Sequence, residues 1–328
     1  GWAGGGGNHS EPARQPDLGR ATCRAADSRR PKGSRRGMSE KDCYVTEVLR
    51  IIASATDKVM FKGGTSLLKG WNLLDRFSED IDIFLDPLSF QPPLGGNGIN
   101  RELKALRDTV ATHPGLTFLP DESVTIGGFG RNDRFSYAQR FGGPGEVANR
   151  ILLEAGTASG RQPTTSIDLR SYLSQFLSET RTTLGADDET EFPMWLLHFR
   201  RTFVEKMFAI HGKVELLKRD KLPLGPYPRH YYDLYQLSQR PEVLEMLRSE
   251  EYATIKADYD QISREHFERS YFYPKGMRFS ASDALFPPAE LASVIGLAYE
   301  EQCKILCYGS HPSWQQIQAR FVEIREFL

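Results

Sequence analysis

No stretch of this chain approaches the roughly 18 consecutive apolar residues that a membrane-spanning helix needs. The N-terminus also lacks the apolar core of a secretory signal. No membrane partner is expected, and the expected location is cytoplasmic. Charge of one sign is missing as well: 42 Lys and Arg stand against 43 Asp and Glu, for a formal net charge of -1. That balance excludes a uniformly basic nucleic-acid coat but leaves room for a local basic face. Cysteine is scarce, and the four present (Cys23, Cys43, Cys303, Cys307) show neither Cys-x-x-Cys spacing nor a nearby histidine pair. Cys303 and Cys307 are spaced to line one helix face, yet no zinc site is expected, only free thiols in a reducing compartment.

What remains is the composition of a globular protein, 39% hydrophobic and 26% charged, in a chain long enough for two ordinary domains. Residues 1–37 stand apart. They are rich in glycine and scattered arginine and carry almost no apolar residues, so no core offsets the cost of ordering them. They are expected to form a disordered extension, with a nucleic-acid-touching arm as the alternative and Met38 as the natural start.

The folded body is expected to begin at Ser39, a helix cap before Val45, Val48, Leu49, Ile51 and Ile52 at helical spacing. A short apolar run, Val59 to Phe61, leads into Gly63-Gly64, and Thr65 to Trp71 reads as a second helix. Ile81 to Leu85 alternates apolar and acidic residues, as a strand with one buried face does. After a helix over 100–112, short runs at 116–119, 123–126, 134–141 and 147–154 read as strands of a mixed sheet. From about Phe192 the pattern is helical: 195–218, 231–247, 253–267, 288–307 and 312–328. The expected class is α+β, with a sheet domain over 38–185 and a helical domain over 186–328.

Two features carry chemistry. Lys62-Gly63-Gly64-Thr65-Ser66 places a glycine pair between a strand and a helix start, where backbone can approach an anion closely. Thr65 and Ser66 add hydroxyls and Lys62 a cation, although ordinary strand-to-helix turns share this pattern. Downstream, Arg76-Phe77-Ser78-Glu79-Asp80-Ile81-Asp82 puts two carboxylates two residues apart on one side of a strand. Such a pair repels itself unless a divalent cation lies between, and magnesium suits an all-oxygen site that also holds phosphates.

Gly-Gly-Thr-Ser followed by Asp-x-Asp resembles the signature of the DNA polymerase beta-like nucleotidyltransferase superfamily. The fuller stretch, FKGGTSLLKGW…RFSEDIDI, looks like the AbiEii-type toxin family of bacterial toxin–antitoxin systems. Further on, Phe203-Val204-Glu205-Lys206 and Arg229-His230-Tyr231-Tyr232-Asp233-Leu234 resemble that family's lysine motif and its Arg-x-x-Tyr-Asp-Leu motif.

The resemblance implies a nucleotidyltransferase-like sheet with flanking helices. Asp80 and Asp82 become metal ligands, with Glu154 the first candidate for a third ligand and Asp168 the second. Lys206 reaches the triphosphate, and Asp233 holds Lys206 or Arg229, or touches the nucleotide. Lys62, Gly63, Gly64, Thr65, Ser66, Arg76 and Ser78 are implied nucleotide-binding residues, and Ser78 could be modified instead. His230 is a structural neighbour.

The implied activity is magnesium-dependent transfer of a nucleoside monophosphate from an NTP to the 3′ end of tRNA. The protein would then be a translation-blocking toxin with a cognate antitoxin. Arg200, Arg201, Lys213, Lys218, Arg219 and Lys221 are candidate RNA-phosphate contacts. A protein hydroxyl or an antibiotic-like small molecule is the alternative acceptor, and a catalytically silent nucleotide-binding module the alternative class.

Overall fold

Lys62 and Asp82 face each other across an antiparallel strand pair, and the sheet extends outward from that pair. The computed structural model describes residues 32–328 except 79, 142–146, 187–188 and 269–270. Residues 1–31, most of the expected extension, lie outside the described residues. The strands are β1 (Val59–Lys62), β2 (Ile81–Leu85), β3 (Thr117–Phe118), β4 (Val124–Ile126), β5 (Gly130–Ser136), β6 (Arg150–Gly156), β7 (Thr164–Leu169) and β8 (Phe192–Leu197). Their order is β3-β5-β6-β2-β1-β8-β7, with β4 paired to β5. β2 runs parallel to β6 and β1 parallel to β8, while β5–β6 and β7–β8 are antiparallel. The sheet is mixed, as expected.

Helix α1 (Lys32–Ala55) covers the sheet with Val45, Val48, Leu49 and Ile52, all buried against Phe61, Ile81, Ile83 and Leu196. It begins seven residues before Ser39, which is buried inside it rather than capping it. The reason lies in the polar residues that follow. Glu40 accepts the backbone N–H groups of Arg140 and Phe141, and Lys41 donates to the Ala148 carbonyl. Residues 39–42 thus face protein rather than solvent, and the helical boundary expected at 37–38 falls inside one continuous element.

The glycine pair opens α2 (Gly63–Lys69), and α3 (Gly96–Ala111) buries Leu103, Leu106 and Val110. Three sheet-side elements escaped the sequence reading, the edge strand β7 among them. Another is α4 (Tyr172–Glu179), capped by Ser171, whose hydroxyl accepts the Ser174 N–H. The third is β8, where a helix was expected to be under way by Trp195. Met194 and Leu196 point into the sheet core while Pro193 and Trp195 face out, the alternation of a strand. The helix proper, α5 (Phe199–Asp220), starts only after His198, whose ring accepts the Arg200 N–H. The sheet therefore claims 192–197, and the run of helices after it begins at Phe199.

Beyond it follow α6 (Arg229–Ser238), α7 (Pro241–Leu247), α8 (Glu250–His266), α9 (Ala289–Leu306) and α10 (Trp314–Ile324). The single helix expected over 231–247 is two, because Pro241 cannot continue α6 but is well placed in the first turn of α7. These helices enclose a second core around Phe203, Met207, Tyr231, Leu234 and Phe321. Leu67 and Leu74 belong to it, and Trp71 packs against both cores. The loop after α2 is the seam between sheet and helices. No described helix is long and apolar enough to cross a membrane.

One buried ion pair ties α1, α2 and α4 together. Asp42 holds the Lys69 ammonium with one oxygen and accepts the Tyr172 N–H (2.7 Å) with the other. Removing the carboxylate strands a lysine whose side chain is 2% exposed. Asp42→Ala is expected to cost about 3–5 kcal/mol of folding free energy, measured by urea denaturation. A loss below about 1 kcal/mol would contradict this role.

Candidate active site

Strand register lines up the polar groups. Lys62 on β1 pairs with Asp82 on β2, Asp82 with Glu154 on β6, and Glu154 with Asn132 on β5. In-register residues on neighbouring strands share a face, so a cation, two carboxylates and an amide form one row across the sheet. The Asn132 side-chain amide donates to Glu154 Oε1 at 3.1 Å. Burial, followed by the charges of Asp82 and Asp80, pushes the Glu154 carboxyl up to about 8, against a weaker downward pull from Lys62. Without a cation Glu154 therefore stays largely protonated at neutral pH. Asp80, just ahead of β2, is steadied by Arg229 Nη2 at 3.4 Å. The donor set is all oxygen and over-supplied with negative charge, which fits a hard divalent cation.

The glycine pair has a steric purpose. Gly63 has φ +77°, and a Cβ there would lie 2.0 Å from Asp82 Oδ2. At Gly64 a Cβ would lie 2.7 Å from Arg76 Nη2 and 3.1 Å from Ser78 Oγ. Only glycine lets Asp82, Arg76 and Ser78 close onto the turn.

Thr65 and Ser66 are buried and hold that loop rather than face a ligand. Thr65 donates to the Asp80 carbonyl at 2.6 Å, so at the 2.9 Å contact between the two hydroxyls Ser78 is the donor. Ser66 donates to the Gly63 carbonyl at 2.8 Å. Neither Thr65 nor Ser66 lines the adjoining cleft, in contrast to the expectation that they bind nucleotide directly.

That cleft holds about 470 Å³, within the range of small-molecule sites. Lys62, Gly63, Gly64, Arg76, Ser78, Asp80, Asp82, Glu154, Lys206 and Arg229 line it together. It thus unites the two motif regions that lie more than a hundred residues apart in sequence. Asp233 does not reach it. Fully buried on α6, it accepts Arg76 Nε (2.6 Å) and Nη2 (2.7 Å) in a bidentate pair, and Lys206 Nζ at 2.8 Å. Burial alone would raise its carboxyl, but Arg76 and Lys206 hold it well below the ordinary range. It positions the side chains of Arg76 and Lys206 from behind the cleft wall.

Burial and the neighbouring Arg76 charge lower the Lys206 ammonium, while Asp233 opposes them. One Lys206 proton goes to Asp233 and a second to His230 Nδ1 (3.1 Å), leaving one for the cleft. Burial and the Lys206 charge push His230 down to about 3, so it is a neutral neighbour.

Asp168, the second choice for a third ligand, is exposed on β7, an outer strand three places from β2 in the sheet, and does not line the cleft. The candidate basic face is also largely neutralised. Arg200 pairs with Glu251, Arg201 with Glu205 and Asp258, Lys218 with Glu215 and Asp283, and Arg219 with Asp220. Lys213 sits over the Tyr227 ring, and Lys221 donates to a backbone carbonyl. Sequence reasoning missed Thr202, Tyr227 and Tyr259 in the lining. The Gly225-Pro226-Tyr227-Pro228 turn, which stiffens the approach to α6, was a readable signal for Tyr227.

The profile of the AbiEii family, described as a nucleotidyl transferase toxin of a type IV toxin–antitoxin system, matches residues 48–317. The chain belongs to that family. It is accordingly a nucleotidyltransferase, and the family is one of toxins that act with a cognate antitoxin. Among solved structures, the nucleotidyltransferase toxin MenT4 of Mycobacterium tuberculosis H37Rv is similar at 13% identity over 94% of each chain, with a TM-score of 0.43. No curated protein matches the chain.

Two outcomes follow from this AbiEii-family geometry. Glu154 is protonated in folded and unfolded chain alike below its ordinary value of 4.5, and folding holds it neutral up to about 8. Its cost to stability therefore grows as pH rises between those values. Glu154→Gln mimics the neutral form, so at pH 7.5 in chelator the variant should be more stable by on the order of 1–3 kcal/mol, and with a divalent cation restored it should transfer no nucleotide under conditions where the wild type does. Equal or lower melting temperature would contradict the assignment. Asp233→Ala leaves Arg76 and Lys206 buried without their anion and should lose about 3–5 kcal/mol in chemical denaturation.

Proposed function

We propose that this chain transfers a nucleoside monophosphate from an NTP to the 3′ end of tRNA, in a magnesium-dependent reaction that blocks translation until a cognate antitoxin counters it. The observation that carries the chemistry is the in-register row Lys62, Asp82, Glu154, with Asp80 beside it at the wall of a cleft that Lys206 also lines. In the reaction the acceptor oxygen attacks the α-phosphorus, the bond to the β-phosphate breaks, and pyrophosphate leaves. Asp80, Asp82 and Glu154 would hold magnesium, which lowers the acidity barrier of the attacking hydroxyl and offsets charge on the leaving group.

The remaining side chains bind and orient. Lys62 and the free proton of Lys206 offer cations to the triphosphate. Gly63 and Gly64 keep the turn low enough for phosphate oxygens to come near the backbone. Arg76, locked by Asp233, backs that turn, and Ser78 is held beside it by the Thr65 hydroxyl. Arg229 leaves Asp80 free to take a metal by turning toward phosphate instead, a short swing given that its side chain is 28% exposed.

The acceptor rests on family membership, since the paired charges on α5 provide no open basic stripe. The test is to incubate purified protein with each labelled NTP, magnesium and total tRNA. Label is expected at the RNA 3′ end. Asp80→Ala should lose at least about a hundredfold in rate, as expected when transition-state charge stabilisation is removed. Label found in protein or in a small molecule instead would replace the RNA acceptor, and unchanged transfer by Asp80→Ala would sink the site.

A further inference from the structure

Cys303, Cys307 and His311 converge at the end of α9, with ligand atoms within 4.8 Å of one another. They repeat at intervals of four: Cys303 lies in the last turn of α9, Cys307 caps its end and His311 follows in the connection to α10. A zinc tetrahedron has Zn–S near 2.3 Å and Zn–N near 2.0 Å, which makes its ligand–ligand edges roughly 3.5–3.8 Å. Small side-chain rotations close the remaining distance.

The surroundings are those of a prepared ligand set. His311 Nε2 is engaged by Glu300 Oε2 at 3.0 Å, which leaves Nδ1 as the nitrogen for a metal. Glu300 is fixed in turn by the Trp314 N–H on its other oxygen (3.0 Å). A carboxylate orienting a ligand histidine is the usual second layer of a metal site. Tyr299 ties the following turn by donating to the Pro312 carbonyl at 2.6 Å. Cys303 and Cys307 sit at 3% and intermediate exposure, sheltered but reachable from the turn.

Its position gives the cluster a purpose. Cys307 forms a β-bridge with Arg76, flanked by Phe77 N–H to Leu306 O (2.8 Å) and Tyr308 N–H to Asp75 O (2.9 Å). The segment bearing Arg76 and Ser78 is therefore stitched to the backbone that carries Cys307.

We propose that Cys303, Cys307 and His311 form a binding site for one thiophilic divalent metal, zinc by ligand chemistry, that clamps the turn after α9 and through it the Arg76 segment of the active site. Two thiolates and an imidazole select zinc over magnesium, so this metal is distinct from the one bound by carboxylates. Water completes the fourth position, and binding releases the two thiol protons.

The test uses the full chain, reduced and stripped of metal, titrated with Co²⁺ as a spectroscopic stand-in for Zn²⁺. One equivalent should give a thiolate-to-cobalt charge-transfer band, abolished by added Zn²⁺. The band should be lost in Cys307→Ser and His311→Ala and kept in Cys43→Ser and in Asp82→Asn. The last of these also separates it from cobalt at the carboxylates, which gives no thiolate band. Glu300→Gln should weaken Zn²⁺ binding by about tenfold to a hundredfold, a readout that survives if the ligand variants misfold. In the wild type, Zn²⁺ should shield Cys303 and Cys307 together from alkylation, read by peptide mass. A wild type with no band and no shielding would overturn the proposal. So would a Cys303–Cys307 disulfide formed in place of metal binding, or a band unaffected by His311→Ala. Failure here leaves nucleotide transfer untouched, because that is measured separately with labelled NTP.

Discussion

The buried carboxylate of Asp233 is the constraint on which the rest of the site depends. A carboxylate with no exposure is tolerable only when its charge is matched and its lone pairs are filled. Arg76 fills two of them in a fork, and Lys206 takes a third position. Those two cations come from different parts of the chain: Arg76 from the loop between α2 and β2, Lys206 from the second turn of α5. Asp233 itself lies on α6. One anion therefore fixes how the sheet half meets the helical half, and it does so at the wall of the cleft. The same pairing draws Arg76 against Gly64, which explains why that position must be glycine.

A second balance runs through the sheet. Asp82 and Glu154 are forced side by side by strand register, and Asp80 adds its charge nearby. The chain relieves this by leaving Glu154 protonated and by lending Arg229 to Asp80. Both compensations are reversible: a proton can leave and a half-buried arginine can turn toward another anion. The Asp233 cluster is built the other way, with partners that cannot leave without stranding a buried charge. The site thus combines a rigid cationic wall with an anionic wall whose temporary compensations a bound cation would replace.

The sequence made the site far more legible than its scaffolding. Asp80, Asp82, Lys62 and the glycine pair announce themselves through spacing, because period two and a strand-to-helix turn are local properties. Glu154 needed only the additional idea that a neighbouring strand supplies the third acid. Asp233 was legible as a holder of Lys206, which it is, but not as the partner of Arg76, 157 positions away, because that pairing exists only in the fold. The strand β8 was hidden for a different reason. Its apolar run is broken only by His198 before Phe199 opens α5, so one largely apolar stretch contains two periodicities. Ser39 shows the converse error, a residue with good capping chemistry placed inside a helix because its polar neighbours found protein partners.

Charge on α5 shows why such readings need three dimensions. Seven Lys and Arg residues fall within 200–221, and six of them read from the sequence as candidate phosphate contacts. In the fold four of those six already have acidic partners, and Arg201, with its side chain 3% exposed, bridges Glu205 and Asp258. An acceptor RNA would have to break those pairs or dock elsewhere. Exposed pairs such as Arg219–Asp220 are worth little and exchange readily for phosphate, whereas the buried Arg201 cluster is not available at all. Contact with an acceptor on this face would therefore involve the far end of α5, near Lys218 and Arg219, rather than the end that enters the cleft. The distance between those two ends sets a lower limit on the size of any acceptor that uses both.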